Sequence, residues 1–328
     1  MFSLFFLPSQ HSGAQHRIQW GSWAAATAGL VGYGLLSPNL EWLNSLGIVF
    51  MYVVMTQAWN ILGGYGGYFN FGIVTFFGVG AYVSALLFHF FGLSPFLTAP
   101  VAGFATALMA FLIGIPTLQL RGAYFAVVTM IVTFAVQILV FDVPFTQGAL
   151  GIYLEPLTLS PRGVEQLFYF VFLGMAAMAT ALVYVIEHSN FGWALVAIRE
   201  DEDAAEVIGV RTTEVKWIAN AIAGFFVGCA GGIYSLRVLY LEPTSTFSLD
   251  ISLNVVLMAV IGGAGTWLGP LIGAPLVLLV GEVLRVTVTS EVNRVIFSLV
   301  VILVALFVPR GFMGLLQRIG RGGLMPNP

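Results

Sequence analysis

The sequence predicts an all-α membrane protein, a multi-pass bundle of about eight to ten transmembrane helices, and three observations carry that prediction. Of its 328 residues, 59% are apolar and only 8% are charged, whereas soluble chains carry roughly a quarter charged residues. The mean hydropathy is +0.96. The apolar residues also fall in long runs separated by short polar connections, as a hydrocarbon core of about 30 Å requires of helices that must satisfy their own backbone groups.

Taken in order, the runs able to cross a membrane are 21–36, 46–62, 69–91, 96–118, 123–141, 167–186, 217–236, 251–261, 271–286 and 295–308. The shortest, 251–261, runs into a stretch rich in glycine that ends at Pro270, which predicts a broken or re-entrant segment there. Residues 1–20 read as a retained N-terminal tail, because aromatic residues come first and Arg17 comes late, the reverse of a cleavable signal. Residues 21–309 form the membrane domain and 310–328 a C-terminal tail. With both termini in the cytoplasm, Arg17, Arg121, Arg199, Arg211, Lys216, Arg310, Arg318 and Arg321 lie inside, and Arg162, Arg237, Arg285 and Arg294 lie outside or within helices. That bias agrees with the positive-inside rule. The longest outer connection, 142–166, is too rich in turn residues to span and is expected to cover the external mouth.

Several function classes fall away. The net charge is -3 with 12 scattered basic residues, which gives nucleic acid no basic stripe to bind. The single lysine, Lys216, is not preceded by a glycine-rich phosphate loop, so a P-loop nucleotide site within this chain is excluded. The one cysteine, Cys229, reads as a packing residue. No HExxH motif and no intramembrane aspartate pair suggests an enzyme. Glu282 and Arg285, three apart on one helix face, read as a structural ion pair rather than a proton relay.

The longest charged stretch is the cytoplasmic loop 187–216. Asn190 could cap a helix over 191–199, and a second short helix over 203–208 would stop at Gly209, giving two helices joined by an acidic elbow. Leu195, Ile198, Ala205 and Ile208 recur at near-helical spacing and leave Glu200, Asp201, Glu202, Asp203 and Glu206 exposed. The elbow is either a solvated loop face or a docking element for a cytoplasmic partner. Elsewhere, the glycines between Gly63 and Gly80 predict close helix packing or an intramembrane turn. Asn60 and Asn70 beside that turn, with Gln137 and Asn254, are the candidates for a weakly polar translocation path.

Separate stretches resemble one family. Asp203-Ala-Ala, followed after three intervening residues by Gly209, is similar to the core of the EAA loop through which importer permeases meet their ATPases, although its longer form is only partly kept. Gly63-Gly-Tyr-Gly-Gly-Tyr-Phe-Asn-Phe-Gly72, Phe77-Gly-Val-Gly-Ala-Tyr82, Leu120-Arg-Gly-Ala-Tyr-Phe-Ala-Val-Val-Thr129, Phe191-Gly-Trp-Ala-Leu-Val-Ala-Ile-Arg-Glu-Asp-Glu202, Ile261-Gly-Gly-Ala-Gly-Thr-Trp-Leu-Gly-Pro270 and Pro309-Arg-Gly-Phe312 together resemble the LivM-type permeases of branched-chain and neutral amino acid ABC importers. The usual Thr-Gly-Gly of the outer loop reads Thr146-Gln-Gly here, and Phe69-Asn-Phe-Gly replaces a Leu-Ser-Leu-Gly.

The resemblance implies the ABC importer permease fold and an inner-membrane location. It also implies a second related permease subunit, two cytoplasmic ATPase subunits that use the ATP, an external solute-binding protein, and no cofactor in this chain. In that frame the coupling loop is carried by Arg199, Glu200, Asp201, Glu202, Asp203, Ala204, Ala205 and Gly209, with Leu195, Ile198, Ala204 and Ala205 packing into an ATPase groove while Arg199 and the carboxylates fix register. Two other classes remain as alternatives: a urea or amide permease of the same superfamily, and an ion-coupled carrier that works without ATPases.

Overall fold

The computed structural model describes residues 13–287 apart from 38 and 158. The expected span 295–308, the C-terminal tail, the Pro309-Arg-Gly-Phe312 motif and the Arg285 half of the expected ion pair lie outside the described residues or side chains. The chain forms helices α1 (Gly13–Leu36), α2 (Leu40–Asn60), α3 (Ile73–Phe91), α4 (Pro95–Thr117), α5 (Ala123–Asp142) and α6 (Pro161–Glu187). These are followed by α7 (Asn190–Glu200), α8 (Glu202–Val207), α9 (Thr212–Val238), α10 (Pro243–Thr246), α11 (Leu249–Gly262) and α12 (Gly269–Thr287). Among the described residues, seven helical stretches are long and apolar enough to cross a membrane: six are α2 with the π-helical turn that extends it (Leu40–Tyr65), α3, α4, α5, α6 and α9, and the seventh is formed by α10 and α11 together. Shorter apolar helices cover Ala25–Leu36 and Gly269–Glu282.

Local chemistry sets the boundaries. Asn39 caps α2 by accepting from Glu41 N, and Ser160 caps α6 by accepting from Gly163 N, with Pro161 in the first turn where its missing N–H is harmless. The first helix begins at Gly13, so the expected tail 1–20 is helical over its last residues, where the helix continues backwards from Gly21 through the polar residues Gln15, His16, Arg17 and Gln19. The expected break after 251–261 lies elsewhere. Gly263 to Leu268 form the turn between α11 and α12, and the span is instead interrupted at Phe247 and Ser248, where Ser248 caps α11 through Asp250 N. Proline at the start of α10 and a serine cap at α11 each start a helix, which breaks the span before the glycines do.

Packing is dense where small residues recur. Gly224, Gly228 and Gly232 lie four apart along α9 and face α4, so that a β-carbon at Gly228 would sit 1.8 Å from Thr106 Oγ1 and one at Gly224 2.7 Å from Ala110 Cβ. Without a hydrophobic drive between helices in lipid, such close approach is what holds a bundle together. Cys229 is buried there as a packing residue, its sulfur lying where a side chain on Gly103 would otherwise go. A main core links α2, α3, α6, α9 and α11, and a second one at the elbow end gathers Ile61, Tyr65, Leu118, Phe191, Leu195 and Trp267. At the opposite end the outer connection makes two single 3₁₀ turns and a short strand β1 (Ile152–Tyr153), which pairs antiparallel with β2 (Tyr240–Leu241).

Candidate functional site

The chemistry-bearing residues of the described chain converge at one end of the bundle, where α7 and α8 fold back against the inner turns. Ser189, not Asn190, caps α7, by accepting from Gly192 N at 3.3 Å. Asp201 separates the two helices in an extended conformation and caps α8 through Ala204 N at 3.0 Å. The elbow therefore spends one of its carboxylates on its own backbone. The stop is a Schellman turn, with Gly209 at φ +93° and Val210 N donating to Ala205 O at 2.9 Å.

Two expectations for the elbow are corrected. Leu195, Ile198 and Ala205 are not free to enter a partner's groove, because each is at most 4% exposed and packed into the chain's own second core. Glu202 is not a solvated carboxylate either: its side chain is 9% exposed and faces inward. It accepts from Lys216 Nζ and from Tyr68 OH and pairs with Arg121 Nε at 3.1 Å. Helical spacing alone cannot say whether an apolar face packs on a partner or on the parent bundle. What faces away is different: Glu200, Asp201, Asp203, Ala204, Glu206 and Gly209 are exposed, and so are Val207 at 88% and Ile208 at 77%.

Lys216 is nearly buried and spends all three hydrogens, on Glu202, on Tyr68 OH at 3.0 Å and on Leu118 O at 2.9 Å. Burial alone would raise the Glu202 carboxyl, but the hydrogen bonds from Lys216 and Tyr68, with the charges of Lys216 and Arg121, outweigh it and hold the group below the usual carboxylate range. Burial, and then the bond to Glu202, push the Tyr68 phenol up. Arg121 also grips Asp203 with both terminal nitrogens, at 3.2 and 2.8 Å, which lowers the Asp203 carboxyl.

The two glycine-rich turns meet beneath the elbow. Asn60 is wholly buried, and its amide holds the second turn twice: Gly265 N donates to its Oδ1 at 2.8 Å and its Nδ2 donates to Thr266 O at 2.9 Å. Gln57, one helical turn earlier, donates to Trp267 O at 2.8 Å. Glu187, at the end of α6, accepts from Trp267 N at 2.8 Å and from the Tyr65 hydroxyl. Arg199 reaches across from α7 and donates to Gly64 O at 3.1 Å. Gly64 has no room for a side chain, since a β-carbon there would lie 1.9 Å from Asn60 Oδ1 and 2.5 Å from Gly265 N.

The four path candidates thus separate. Asn60 and Asn70 are clamps rather than path surface: Asn70 accepts from Gly72 N at 2.7 Å and lies 3.4 Å from Asn220. Their amides are consumed within the fold, a role that residue type and position did not distinguish from path lining. Gln137 is half-buried on α5 and makes only a long contact, 3.5 Å, to Pro243 O. Asn254 is half-buried on α11. Sequence reasoning missed Arg121, Tyr65, Tyr68, Glu187 and Trp267, and saw in Lys216 only the missing phosphate loop. A lone lysine next to an apolar run was the available signal, since a cation there needs a buried partner.

Among the described residues no group of histidine, cysteine or carboxylate side chains could hold a metal ion. The permease LivM of the high-affinity branched-chain amino acid transport system of Escherichia coli is 27% identical over 81% of this chain and 68% of its own length. Its Salmonella typhimurium counterpart is 27% identical over 80% of this chain and 68% of its own length. The ribose import permease RbsC of Bacillus subtilis is 29% identical over 43% of this chain and 47% of its own length. No solved structure matches the chain. A family model described as the branched-chain amino acid transport system permease component matches residues 42–306, most of the chain and all of the site just described, so the chain belongs to that family of transport permeases.

Proposed function

We propose that this chain, a multi-pass inner-membrane permease subunit of an ABC importer, moves branched-chain or other neutral amino acids. It works beside a second related permease and above two cytoplasmic ATPases, with cargo delivered by an external binding protein. The likeness to the two LivM permeases supports the substrate class. Support for the docking site comes from one observation: the apolar tip Val207 and Ile208 stands exposed on α8, while Leu195, Ile198 and Ala205 of the same elbow are buried at home. Exposed apolar side chains on a rigid polar support are what a partner's groove recognises. Glu200, Asp201 and Glu206 around the tip would set register by charge, while Arg199, Glu202, Asp203, Ala205 and Gly209 shape and hold the elbow. Residues 187–216 would thus act as the cytoplasmic coupling loop. The path needs no tight site, because affinity is set before delivery and the cargo must be released.

Purification of the tagged chain in mild detergent, followed by identification of what co-purifies and an ATPase assay in lipid, tests this reading. ATPase subunits should co-purify, and hydrolysis should rise when binding protein and a branched-chain amino acid are added but not with ribose or urea. Replacing Val207 and Ile208 by Asp should strip the ATPases while leaving the permease folded. A partner-free chain that transports under an ion gradient would overturn it.

A further inference from the structure

We propose that Arg121 carries the elbow's movement to α5, so that the turn before α5 is where the ATPase stroke enters the transport path. The inference rests on the importer reading above. Its first support is geometric. Arg121 lies in the short connection between α4 and α5, and its guanidinium is fully committed to α8: Nε faces Glu202 at 3.1 Å, and the two terminal nitrogens face both oxygens of Asp203 at 3.2 and 2.8 Å. A planar fork held by two neighbouring carboxylates transmits direction as well as attraction.

The second support is the joint. Gly122, next in the chain, has φ +57°, and a β-carbon on it would meet nothing within 4 Å. That left-handed conformation is one that glycine adopts without steric cost, so the joint that leads into α5 is set by the one residue type that turns there freely. The third is the helix beyond. Only 17% of the apolar stretch of α5 is buried, against 61% for α3 and α9. What ties α5 to the bundle is Phe125 at its start, buried edge-on to Tyr68 with ring centroids 5.3 Å apart, and beyond it a line of side-chain contacts four residues apart: Thr129 accepts from Phe71 N at 3.2 Å, Thr133 shares a hydrogen with Thr75 at 2.8 Å, and Gln137 makes the long contact to Pro243 O. A helix that shares so little surface moves as a body more readily than its neighbours.

The elbow's other ties lead to rigid ground. Lys216 joins Glu202 to α9 inside a nearly dry cluster. Arg199 joins α7 to Gly64, which is wedged between Asn60 and Gly265. Arg121 and Asp203 are themselves 55% and 77% exposed, so their contact can break and re-form without stranding a buried charge.

The test uses the complete importer, with its ATPases and binding protein, reconstituted in lipid. In Arg121→Gln, ATPase content and hydrolysis should stay near wild type while substrate moved per ATP falls roughly tenfold. Arg121→Cys with Asp203→Cys, in a Cys229→Ala background, should be uncoupled when reduced and regain transport per ATP once a short bis-thiosulfonate linker restores the tie. Unchanged transport per ATP in Arg121→Gln would overturn the proposal. So would parallel loss of ATPase subunits and transport, which marks a docking residue, or a linked double variant that stays uncoupled. If the wild-type chain carries no ATPase, the importer reading itself fails and takes this inference with it, an outcome that the wild-type control alone identifies.

Discussion

Helices α2 and α5 are nearly equal in length, 21 and 20 residues, and both are apolar enough to span a membrane, yet they hold opposite places in the bundle. With its π-helical extension α2 is 78% buried over its apolar stretch, and α5 is 17% buried. The difference does not lie in apolar content, because lipid is as good a solvent for leucine as a protein core is. It lies in polar and small residues. Thr56, Gln57 and Asn60 cluster at the inner end of α2, all wholly buried, and the last two clamp the turn between α11 and α12. The polar residues of α5 form one thin stripe that reaches α3 and α10. In this protein, where the amides and glycines fall marks the packed centre, and their scarcity marks the helix that packs least against it.

The sharpest way to break that comparison is to attack the centre. Gly64→Ala places a β-carbon within 1.9 Å of Asn60 Oδ1 and 2.5 Å of Gly265 N, and the second of these is backbone. Overpacking of ordinary cores costs about 1–3 kcal/mol. Here the clamp itself must open, so the expected result is loss of monodisperse protein on size-exclusion chromatography. Gly174→Ala is the control: on α6 it meets nothing within 4 Å and should leave yield and melting temperature unchanged. A well-folded Gly64→Ala protein would show that the turn is looser than its geometry implies.

The next effect in size concerns the elbow. Glu202→Gln leaves the nearly buried Lys216 cation without its counter-charge, and breaking a buried pair costs about 3–5 kcal/mol. A pH signature accompanies it. The Glu202 carboxyl is held below its ordinary value of 4.5 in the fold, so its stabilisation is complete above that pH and is lost as pH falls through the lower folded value. Thermal melts of the wild type should therefore fall more steeply with acidification below about pH 4.5 than those of Glu202→Gln. Parallel curves would mean that the carboxylate contributes nothing to holding the elbow.

Much of this architecture is legible in the sequence, for identifiable reasons. Long apolar runs fix the spans, and the charge run and Gly209 fix the elbow's two helices and its stop, because a left-handed turn depends on local residue chemistry, while the caps fell to Ser189 beside the expected Asn190 and to Asp201, which read only as an exposed carboxylate. What the sequence hides is direction. Glu202 reads as a solvated carboxylate and Asn60 as path lining until the partners from Lys216 and the second glycine turn, 14 and about 205 residues away, are in place. The packing line Gly224, Gly228 and Gly232 escapes sequence reasoning, because only the facing Thr106 and Ala99 show that these glycines receive a helix. The start of α1 escaped because hydropathy weighs apolar content and the helix's first residues include Gln15, His16, Arg17 and Gln19, and the break at Phe247 escaped because hydropathy is blind to a serine cap.

The smallest effect tests the loose side of the comparison. Thr133 and Thr75 are buried, and their hydroxyls share a hydrogen bond at 2.8 Å between α5 and α3. Thr133→Val keeps the shape and removes the hydroxyl, leaving Thr75 to turn to its own helix backbone. Hydrogen bonds between membrane helices average only about 0.6 kcal/mol, because the separated helices also find partners. A change of that size is expected in reversible unfolding in mixed micelles, with the fold intact. If α5 is the mobile helix, the same substitution should alter the rate of transport more than it alters stability, since it loosens the contact that must yield during each cycle. A loss of several kcal/mol would instead make α5 a structural member like α2, with its exposure reporting only where lipid lies.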